Sequence, residues 1–289
     1  MQYANPDALV STEWLAQNLT APGVRVLDGT YFLPNMKRDP AAEYAAKHIP
    51  GAILFDVDAV SDHNSSLPHM LPSADAFARA MGERGIANSD HVVVYDALGL
   101  VSAARVWWTL RIFGHAKVSV LDGGLPKWEA EGRPDEAGVV TPAATTYVAS
   151  LDPARVRHKE QVRANIGAAF EQVVDARAAE RWRGEAAEVW PGRRQGRIPE
   201  SLNVPYTDLL DPKDKTYLPA DRLKAAFEGA GVDLGRPVVT SCGSGVTAAI
   251  LYLGLHLLGK KDLALYDGSW AEWGLPGDTP IATGPAGQR

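Results

Sequence analysis

The fold is indicated most clearly by the segment Val238-Val-Thr-Ser-Cys242-Gly-Ser-Gly-Val-Thr247-Ala-Ala-Ile-Leu-Tyr-Leu-Gly-Leu-His-Leu-Leu258. Its β-branched start predicts a short buried strand, and the apolar run from Thr247 to Leu258 predicts a long helix. The loop between them carries Cys242, the only cysteine of the chain. Ligands of open parallel sheets bind at the carboxyl ends of the strands, so the thiol is expected in a ligand crevice.

The loop around Cys242 is suited to a negatively charged sulfur. Gly243 and Gly245 let the backbone curl so that successive N–H groups converge, and the start of the next helix adds a partial positive charge. Such surroundings favour a nucleophilic thiolate. The alternative is that Cys242 is a small buried hydrophobic residue, as free cysteines usually are. The flanking glycines at a strand-to-helix turn favour the reactive interpretation.

The same order of segments occurs in the first half of the chain. A β-branched run ends at Asp96, as the later one ends at Cys242. Ser102 precedes Thr247 by 145 positions, a spacing that recurs between the aspartates of two Asp-Gly motifs, Asp122 and Asp267. Alternating strands and amphipathic segments indicate an α/β fold with parallel strands, and the offset indicates a duplicated domain.

The duplication predicts two domains joined by a linker. We expect a first domain over residues 1–140, a linker rich in Thr, Ala and Pro over 141–155, and a second domain over 156–289. Asp96 stands at the cysteine position of the first domain. That domain is therefore expected to keep the scaffold without the chemistry.

Composition restricts the class of protein. The chain has 289 residues, 46% of them hydrophobic and 22% charged, which is typical of a soluble globular protein. The net charge of −6, without a block of like charges, argues against nucleic-acid binding. Residues 1–10 lack the features of a secretory signal, and no apolar run is long enough to span a membrane. A single cysteine suits a reducing compartment, so we expect a cytoplasmic protein. The histidines lack metal-ligand spacing, and no metal is predicted.

Several motifs in order resemble the tandem-domain sulfurtransferases of the rhodanese superfamily. The likeness covers nearly the whole chain. It implies two rhodanese-like α/β domains, each a parallel sheet flanked by helices, with the active site between them and a persulfide on Cys242 as the sulfur carrier. The motifs are Asp28, His48-Ile-Pro-Gly51, Ala104-Arg-Val-Trp-Trp108, Asp175-Ala-Arg177, Cys242-Gly-Ser-Gly-Val-Thr-Ala248 and Tyr266-Asp-Gly-Ser-Trp270.

The active loop is similar to the 3-mercaptopyruvate branch of that superfamily. Thiosulfate sulfurtransferases carry a cationic Cys-Arg-Lys-Gly-Val-Thr loop, whereas no charged residue occurs between Cys242 and Ala248. In the 3-mercaptopyruvate branch an aspartate, a histidine and the loop serine relay protons, which implies Asp58, His69 and Ser244 here. Each has an ordinary alternative: Asp58 as a helix cap, His69 as a surface histidine and Ser244 as a turn residue.

The resemblance also implies groups that bind the donor. Arg181 is expected to hold its carboxylate, because a guanidinium offers a planar fork of donors. The family's second arginine is replaced by Trp190, which is expected to narrow the pocket. Weak substitutes from the same basic loop are Arg193, Arg194 and Arg197. For Arg193 and Arg194 the alternative is solvated loop charge. The loop itself contributes Gly243, Gly245, Val246 and Thr247.

The expected reaction moves sulfur from 3-mercaptopyruvate to Cys242, releasing pyruvate, and then to cyanide, a small thiol or thioredoxin. No cofactor is needed, and a monomer is expected. The rival interpretations are a thiosulfate sulfurtransferase, a cysteine phosphatase and a non-catalytic interaction module. A phosphatase needs an arginine that closes the loop, and Thr247 to Ile250 contain none. Arg105, in an apolar setting, is interpreted as a buried ion-pair partner.

Overall fold

The computed structural model, which describes residues 2–285, contains two parallel sheets of five strands each. The strands are β1 (Leu9–Val10), β2 (Val24–Asp28), β3 (Ile53–Leu54), β4 (His91–Tyr95), β5 (Val118–Leu121), β6 (Val156–Arg157), β7 (Gln172–Asp175), β8 (Leu202–Asn203), β9 (Val238–Ser241) and β10 (Leu263–Tyr266). The first sheet has the order β1-β5-β4-β2-β3 and the second has the order β6-β10-β9-β7-β8. The two orders match strand for strand, so the predicted duplication and α/β fold are confirmed.

Helices connect the strands and cover the sheets. Within residues 2–285, each half contains five helices, and they alternate with the strands in the same order in both halves. They are α1 (Thr12–Asn18), α2 (Pro40–Ala46), α3 (Ala74–Glu83), α4 (Ala103–Ile112), α5 (Gly124–Ala130), α6 (Lys159–Asn165), α7 (Ala179–Arg183), α8 (Ala220–Gly229), α9 (Ala248–Leu257) and α10 (Ser269–Trp273). Short 3₁₀ turns lie at Pro6–Ala8, Pro34–Met36, Pro153–Arg155 and Tyr206–Leu209.

Helices α4 and α9 pack against each other between the two sheets. Nine of the ten residues of α9 are buried, as expected for a helix that is apolar on all sides. The ring of Trp108 in α4 lies 6.4 Å from that of Tyr252 in α9. One apolar core therefore runs from the first sheet through both helices to the second.

Asp96 and Cys242 lie at the carboxyl ends of the corresponding central strands of the two sheets. Strand β4 ends at Tyr95 and β9 ends at Ser241, so each residue directly follows a central strand. The predicted helix after the cysteine loop is confirmed as α9, and Thr247 is its N-cap.

The chain between α5 and the turn at Pro153 contains no helix. Part of it runs along the first domain, where the Thr145 N–H donates to Gly82 O at 2.9 Å and the Asp152 N–H donates to Ile112 O at 2.7 Å. The turn at Pro153–Arg155 then leads into β6. Across residues 2–285, every helix is too short or too polar to cross a bilayer.

Candidate active site

Two hydrogen bonds hold the cysteine loop against the start of α10. The Cys242 N–H donates to Ser269 Oγ at 3.2 Å, and Cys242 O accepts the N–H of Trp270 at 3.0 Å. The Gly245 N–H turns back and donates to Cys242 Sγ at 3.1 Å. Gly245 has φ +81°, and this left-handed conformation explains the glycine. The loop thus presents a backbone donor to the sulfur, as the sequence predicts.

The equivalent loop of the first domain surrounds the carboxyl group of Asp96 with backbone N–H groups. Asp96 Oδ2 accepts the N–H groups of Val101 at 2.7 Å and of Ser102 and Ala103 at 2.8 Å each, and Oδ1 accepts Leu98 N–H at 2.8 Å. Burial raises the pKa of Asp96, and these four donors act against that rise. The amides at matching positions of the second domain belong to Val246, Thr247 and Ala248. A loop of this shape is therefore able to surround a negative charge with backbone N–H groups.

Cys242 borders a cavity of roughly 480 Å³ between the two domains. Cys242 is only 2% exposed, so a substrate reaches its sulfur through this cavity. Gly243, Ser244, Val246 and Thr247 line the same wall, whereas Gly245 lies beneath it. The remaining lining residues are Tyr31, Leu33, Met36, Leu98, Val101, Ala176, Arg177, Ala178, Arg181, Val189, Trp190 and Tyr206.

Arg181 supplies a guanidinium to the cavity. Its Nη2 would lie 3.3 Å from a Cβ placed on Gly243, so the group lies directly over the cysteine loop. The same Nη2 contacts Glu188 Oε2 at 2.5 Å, and the side chain keeps 20% exposure. Arg181 is therefore able to bind an anion, with part of its charge already matched by Glu188.

Glu188 and Arg177 form the support behind Arg181. Arg177 Nη1 donates to Glu188 Oε1 at 2.7 Å, and Arg177 Nη2 donates to Asp175 Oδ2 at 2.7 Å. Burial acts to lower the pKa of Arg177, but the charges of Asp175, Glu188 and Cys242 outweigh burial and raise it. Arg177 is thus a fixed cation near the sulfur. Glu188 was not predicted as a site residue, because it lies in an irregular loop after α7 and no local sequence pattern marks it.

Trp190 forms part of the opposite wall. Its ring centroid lies 5.7 Å from that of His69, and the His69 ring also contacts Tyr31 at 4.7 Å. Because Trp190 and Tyr31 both line the cavity, His69 lies directly behind this aromatic wall. Trp190 therefore contributes apolar surface at the place where the resemblance implied a second arginine.

Asp58 and His69 are brought together, whereas the third member of the expected relay is apart. His69 Nδ1 lies 2.5 Å from Asp58 Oδ1. His69 is 4% exposed, which excludes the surface alternative, and Asp56 rather than Asp58 accepts the local N–H groups in a capping role. His69 Nε2 is buried and, within residues 2–285, has no hydrogen-bond partner, so it makes no bond to Ser244. Ser244 lies in the cavity wall, 4% exposed.

The three weaker arginine candidates lie outside the cavity lining. Arg193 Nε donates to Ala271 O at 2.9 Å. Arg194 Nη1 donates to Thr279 O at 3.2 Å, and Arg197 Nη1 donates to Gly284 O at 2.6 Å. All three guanidinium groups thus bind backbone carbonyls of the second domain.

Arg105 forms the buried ion pair that its setting predicted. Its Nη1 lies 2.7 Å from Asp267 Oδ1, with both side chains at most 3% exposed. Within residues 2–285, no group of three or more His, Cys, Asp or Glu side chains is arranged to hold a metal ion.

Comparison with known proteins gives consistent results. The sequence model of the rhodanese-like domain matches residues 11–131 and 158–275. Human 3-mercaptopyruvate sulfurtransferase is 44% identical over 272 residues, which cover 92% of this chain and 91% of the human protein. A thiosulfate sulfurtransferase from Cricetulus griseus is 40% identical over 290 residues, 97% of each chain. The crystal structure of SseA, a 3-mercaptopyruvate sulfotransferase from Escherichia coli, has a TM-score of 0.84 and 41% identity over 92% of this chain and 99% of that one.

Proposed function

The chain belongs to the family of rhodanese-like proteins, and from this we propose that it is a 3-mercaptopyruvate sulfurtransferase with Cys242 as the sulfur carrier. The main support for the proposal is the position of Cys242. Its sulfur borders a cavity between the domains, Gly245 donates a backbone N–H to it, and Arg181 lies over its loop. Relatives of that activity match more than nine-tenths of the chain.

The first step transfers sulfur from the donor to the protein. The Cys242 thiolate attacks the sulfur atom of 3-mercaptopyruvate, forming an S–S bond while the donor's C–S bond breaks. The electron pair of the broken bond leaves as the enolate of pyruvate. The proton from the donor thiol ends on the enolate carbon, so pyruvate and a Cys242 persulfide anion are formed.

Arg181 holds the donor carboxylate in this scheme, with Arg177 as a fixed cation behind it. Ser244, in the cavity wall beside Cys242, is placed to pass the donor's proton. Asp58 orients the His69 ring through Nδ1, which leaves Nε2 as the proton acceptor. We propose that donor binding brings Ser244 and His69 into contact. The N–H groups of Gly243, Gly245, Val246 and Thr247 are the proposed cradle of the persulfide.

The second step returns the sulfur to an acceptor. A cyanide ion or a thiolate attacks the outer sulfur, takes it as thiocyanate or a new persulfide, and restores the Cys242 thiolate. The proposed acceptors are cyanide, a small thiol and thioredoxin. We further propose a monomeric cytoplasmic protein with domains at 1–140 and 156–289 joined by 141–155, consistent with a single cysteine and a complete site in one chain.

A thiosulfate sulfurtransferase is the second candidate, because the relative from Cricetulus griseus carries that name. The cavity argues against thiosulfate as the better donor. The charge of Arg181, its partly exposed guanidinium, is partly neutralised by Glu188, and the cysteine loop carries no cation. The positive charge of the cavity therefore neutralises a bound dianion less well than a bound monocarboxylate.

The deciding experiment measures both steps. Purified protein incubated with 3-mercaptopyruvate should gain the mass of one sulfur atom on Cys242 and release an equal amount of pyruvate. Cyanide should then remove that mass as thiocyanate. Thiosulfate should support a lower kcat/KM, and Cys242→Ser should abolish the mass gain. Sulfur uptake by Cys242→Ser, or a higher kcat/KM with thiosulfate, contradicts the proposal.

A further inference from the structure

Arg105 reaches from α4 of the first domain to the underside of the cysteine loop in the second. Its Nη2 donates to His69 O at 2.7 Å, and its Nη1 lies 3.4 Å from Gly245 O and 2.7 Å from Asp267 Oδ1. The side chain is 3% exposed, and its guanidinium lies 4.7 Å from the ring centre of Trp108. One buried cation thus contacts a first-domain loop and a second-domain loop together.

Both of these loops carry reacting groups of the proposed function. Gly245 is the residue whose N–H donates to Cys242 Sγ, and a Cβ on Gly245 would lie 2.9 Å from Arg105 Nη1. The Arg105 guanidinium therefore packs directly against the Gly245 turn of the cysteine loop. On the other side, Arg105 binds the carbonyl of His69, a non-glycine residue with φ +50° that costs energy to hold.

The contacts of the two Asp-Gly motifs distinguish this role of Arg105 from a role in domain packing alone. Asp267 Oδ2 accepts the N–H of Leu71 from the first domain at 2.9 Å. Asp122, at the matching position of the first domain, accepts the N–H of Tyr217 from the second at 2.9 Å. By the offset of 145 that relates Asp122 to Asp267, Arg105 corresponds to Ile250. The interdomain contact thus forms without an arginine where the loop holds Asp96, and with one where it holds Cys242.

We propose that Arg105 is a positioning residue for sulfur transfer, which holds the Gly245 turn and the His69 backbone in register across the domain boundary. The inference rests on the proposed function. Arg105 touches neither donor nor sulfur; it acts by aiming the Gly245 N–H at Cys242 Sγ and by fixing His69 behind the aromatic wall.

The test compares Arg105→Gln and Arg105→Lys with Arg84→Gln. Arg84 is a matched control, since it is a partly buried arginine of the first domain whose guanidinium donates to Leu54 O and Ala80 O, neither of which lines the cavity. For each protein, kcat per titratable thiol, KM for 3-mercaptopyruvate, the pH midpoint of Cys242 alkylation and the thermal unfolding midpoint are measured.

Arg105→Gln should lower kcat about 10- to 100-fold, because misplaced reacting groups cost rates of that order, while KM changes less than about threefold. Its alkylation midpoint should move to higher pH, since the Gly245 N–H no longer points at the sulfur. Arg105→Lys keeps the charge but not the two-armed donor geometry, so its kcat and midpoint should lie between those of the glutamine variant and the wild type. Arg84→Gln should change only the unfolding midpoint.

The proposal is overturned if Arg105→Gln loses thermal stability while its kcat per thiol and its alkylation midpoint match those of Arg84→Gln. If the glutamine variant does not fold, the lysine variant decides, and wild-type values for both readouts overturn the proposal. Failure of the wild type to use 3-mercaptopyruvate would refute the proposed function instead. The alkylation profile would still report whether Arg105 positions the loop.

Discussion

His69 Nδ1 and Asp58 Oδ1 lie 2.5 Å apart, although the His69 side chain is 1% exposed and that of Asp58 is 61% exposed. A carboxylate at the surface thus fixes the orientation of a ring in the interior. Because the Asp58 contact uses Nδ1, the buried Nε2 atom is left as the proton acceptor. A histidine held this way is suited to proton transfer.

His69→Asn should lower kcat for 3-mercaptopyruvate about 100-fold, the usual contribution of a positioned acid–base group, with KM little changed. Asp58→Asn should lower kcat by at least about tenfold, since an amide no longer fixes the tautomer and the orientation of the ring. His63→Asn is the control, because His63 belongs to the same segment, is exposed and hydrogen-bonds the local carbonyl of Ala59. A kcat for His69→Asn within about twofold of the control would remove His69 from the mechanism.

Removal of the Arg181 guanidinium should weaken donor binding. Arg181→Gln should raise KM for 3-mercaptopyruvate about 10- to 100-fold, as expected for the loss of a hydrogen bond to a charged carboxylate. Arg193→Gln is the matched control, since Arg193 follows in the same loop but binds Ala271 O outside the cavity lining. Steady-state kinetics on both variants decide the point. A larger rise in KM for Arg193→Gln than for Arg181→Gln would reverse the assignment.

Trp190 should limit the affinity for anionic donors. Trp190→Arg adds a cation to a wall that is now aromatic, so KM for 3-mercaptopyruvate should fall about three- to tenfold and thiosulfate turnover should rise. Trp190→Phe keeps an aromatic ring without adding charge, and it should leave both donors close to wild type. Kinetics with each donor report the effect. Equal values for the arginine and phenylalanine variants would show that charge at this position does not select the donor.

The architecture and the cysteine loop could be predicted from the sequence because they depend on local patterns. The repeated segments gave the duplication, and the β-branched run before Cys242 gave its position at the end of a strand. Asp58 and His69 were implied by family resemblance rather than by any local pattern. Their contact depends on how a long loop folds back.

The support of the site could not be predicted, because it depends on contacts between distant segments. Glu188 lies in an irregular loop, and only the folded chain places it between Arg177 and Arg181. The partner of Arg105 is on the other domain, so its setting predicted a buried ion pair but not Asp267. Likewise, the sequence offered Arg193 as a donor ligand, whereas the fold turns it toward a backbone carbonyl.

Asp96 should contribute to the stability of the first domain through the four N–H groups that it accepts. Asp96→Ala would leave these buried donors without an acceptor, and the free energy of unfolding should fall by about 2–4 kcal/mol. Asp39→Ala removes an exposed N-cap that accepts two N–H groups, and it should cost about 1 kcal/mol. Urea unfolding measures both. A smaller loss for Asp96→Ala than for Asp39→Ala would mean that the loop relaxes without its anion.

Asp122 should make stability depend on pH, because burial, helped by the nearby charge of Asp214, raises its pKa to about 7. The group is neutral in the folded protein at low pH and ionised in the unfolded chain above about pH 4. A raised carboxyl pKa contributes stability that is present at low pH and is lost as the pH rises through about 7. Asp122→Asn removes this loss and keeps an oxygen that can accept the Tyr217 N–H. Relative to wild type, its free energy of unfolding should therefore increase between about pH 4 and pH 7 and level off above about pH 8, at roughly 4 kcal/mol.

Asp267→Asn is the matched control for Asp122→Asn, since it alters the corresponding contact in the other domain. It leaves Arg105 buried without its ion-pair partner, so it should be destabilised by about 3–5 kcal/mol at pH 8, the condition in which Asp122→Asn is most stabilised. Urea unfolding at several pH values compares the two variants directly. Parallel pH curves for Asp122→Asn and the wild type would show that Asp122 ionises as readily in the folded protein as in the unfolded chain. In that case Asp122→Asn would show no stabilisation at pH 8. Because both aspartates accept one backbone N–H across the interface, a loss of stability confined to Asp267→Asn would then be assigned to its ion pair with Arg105.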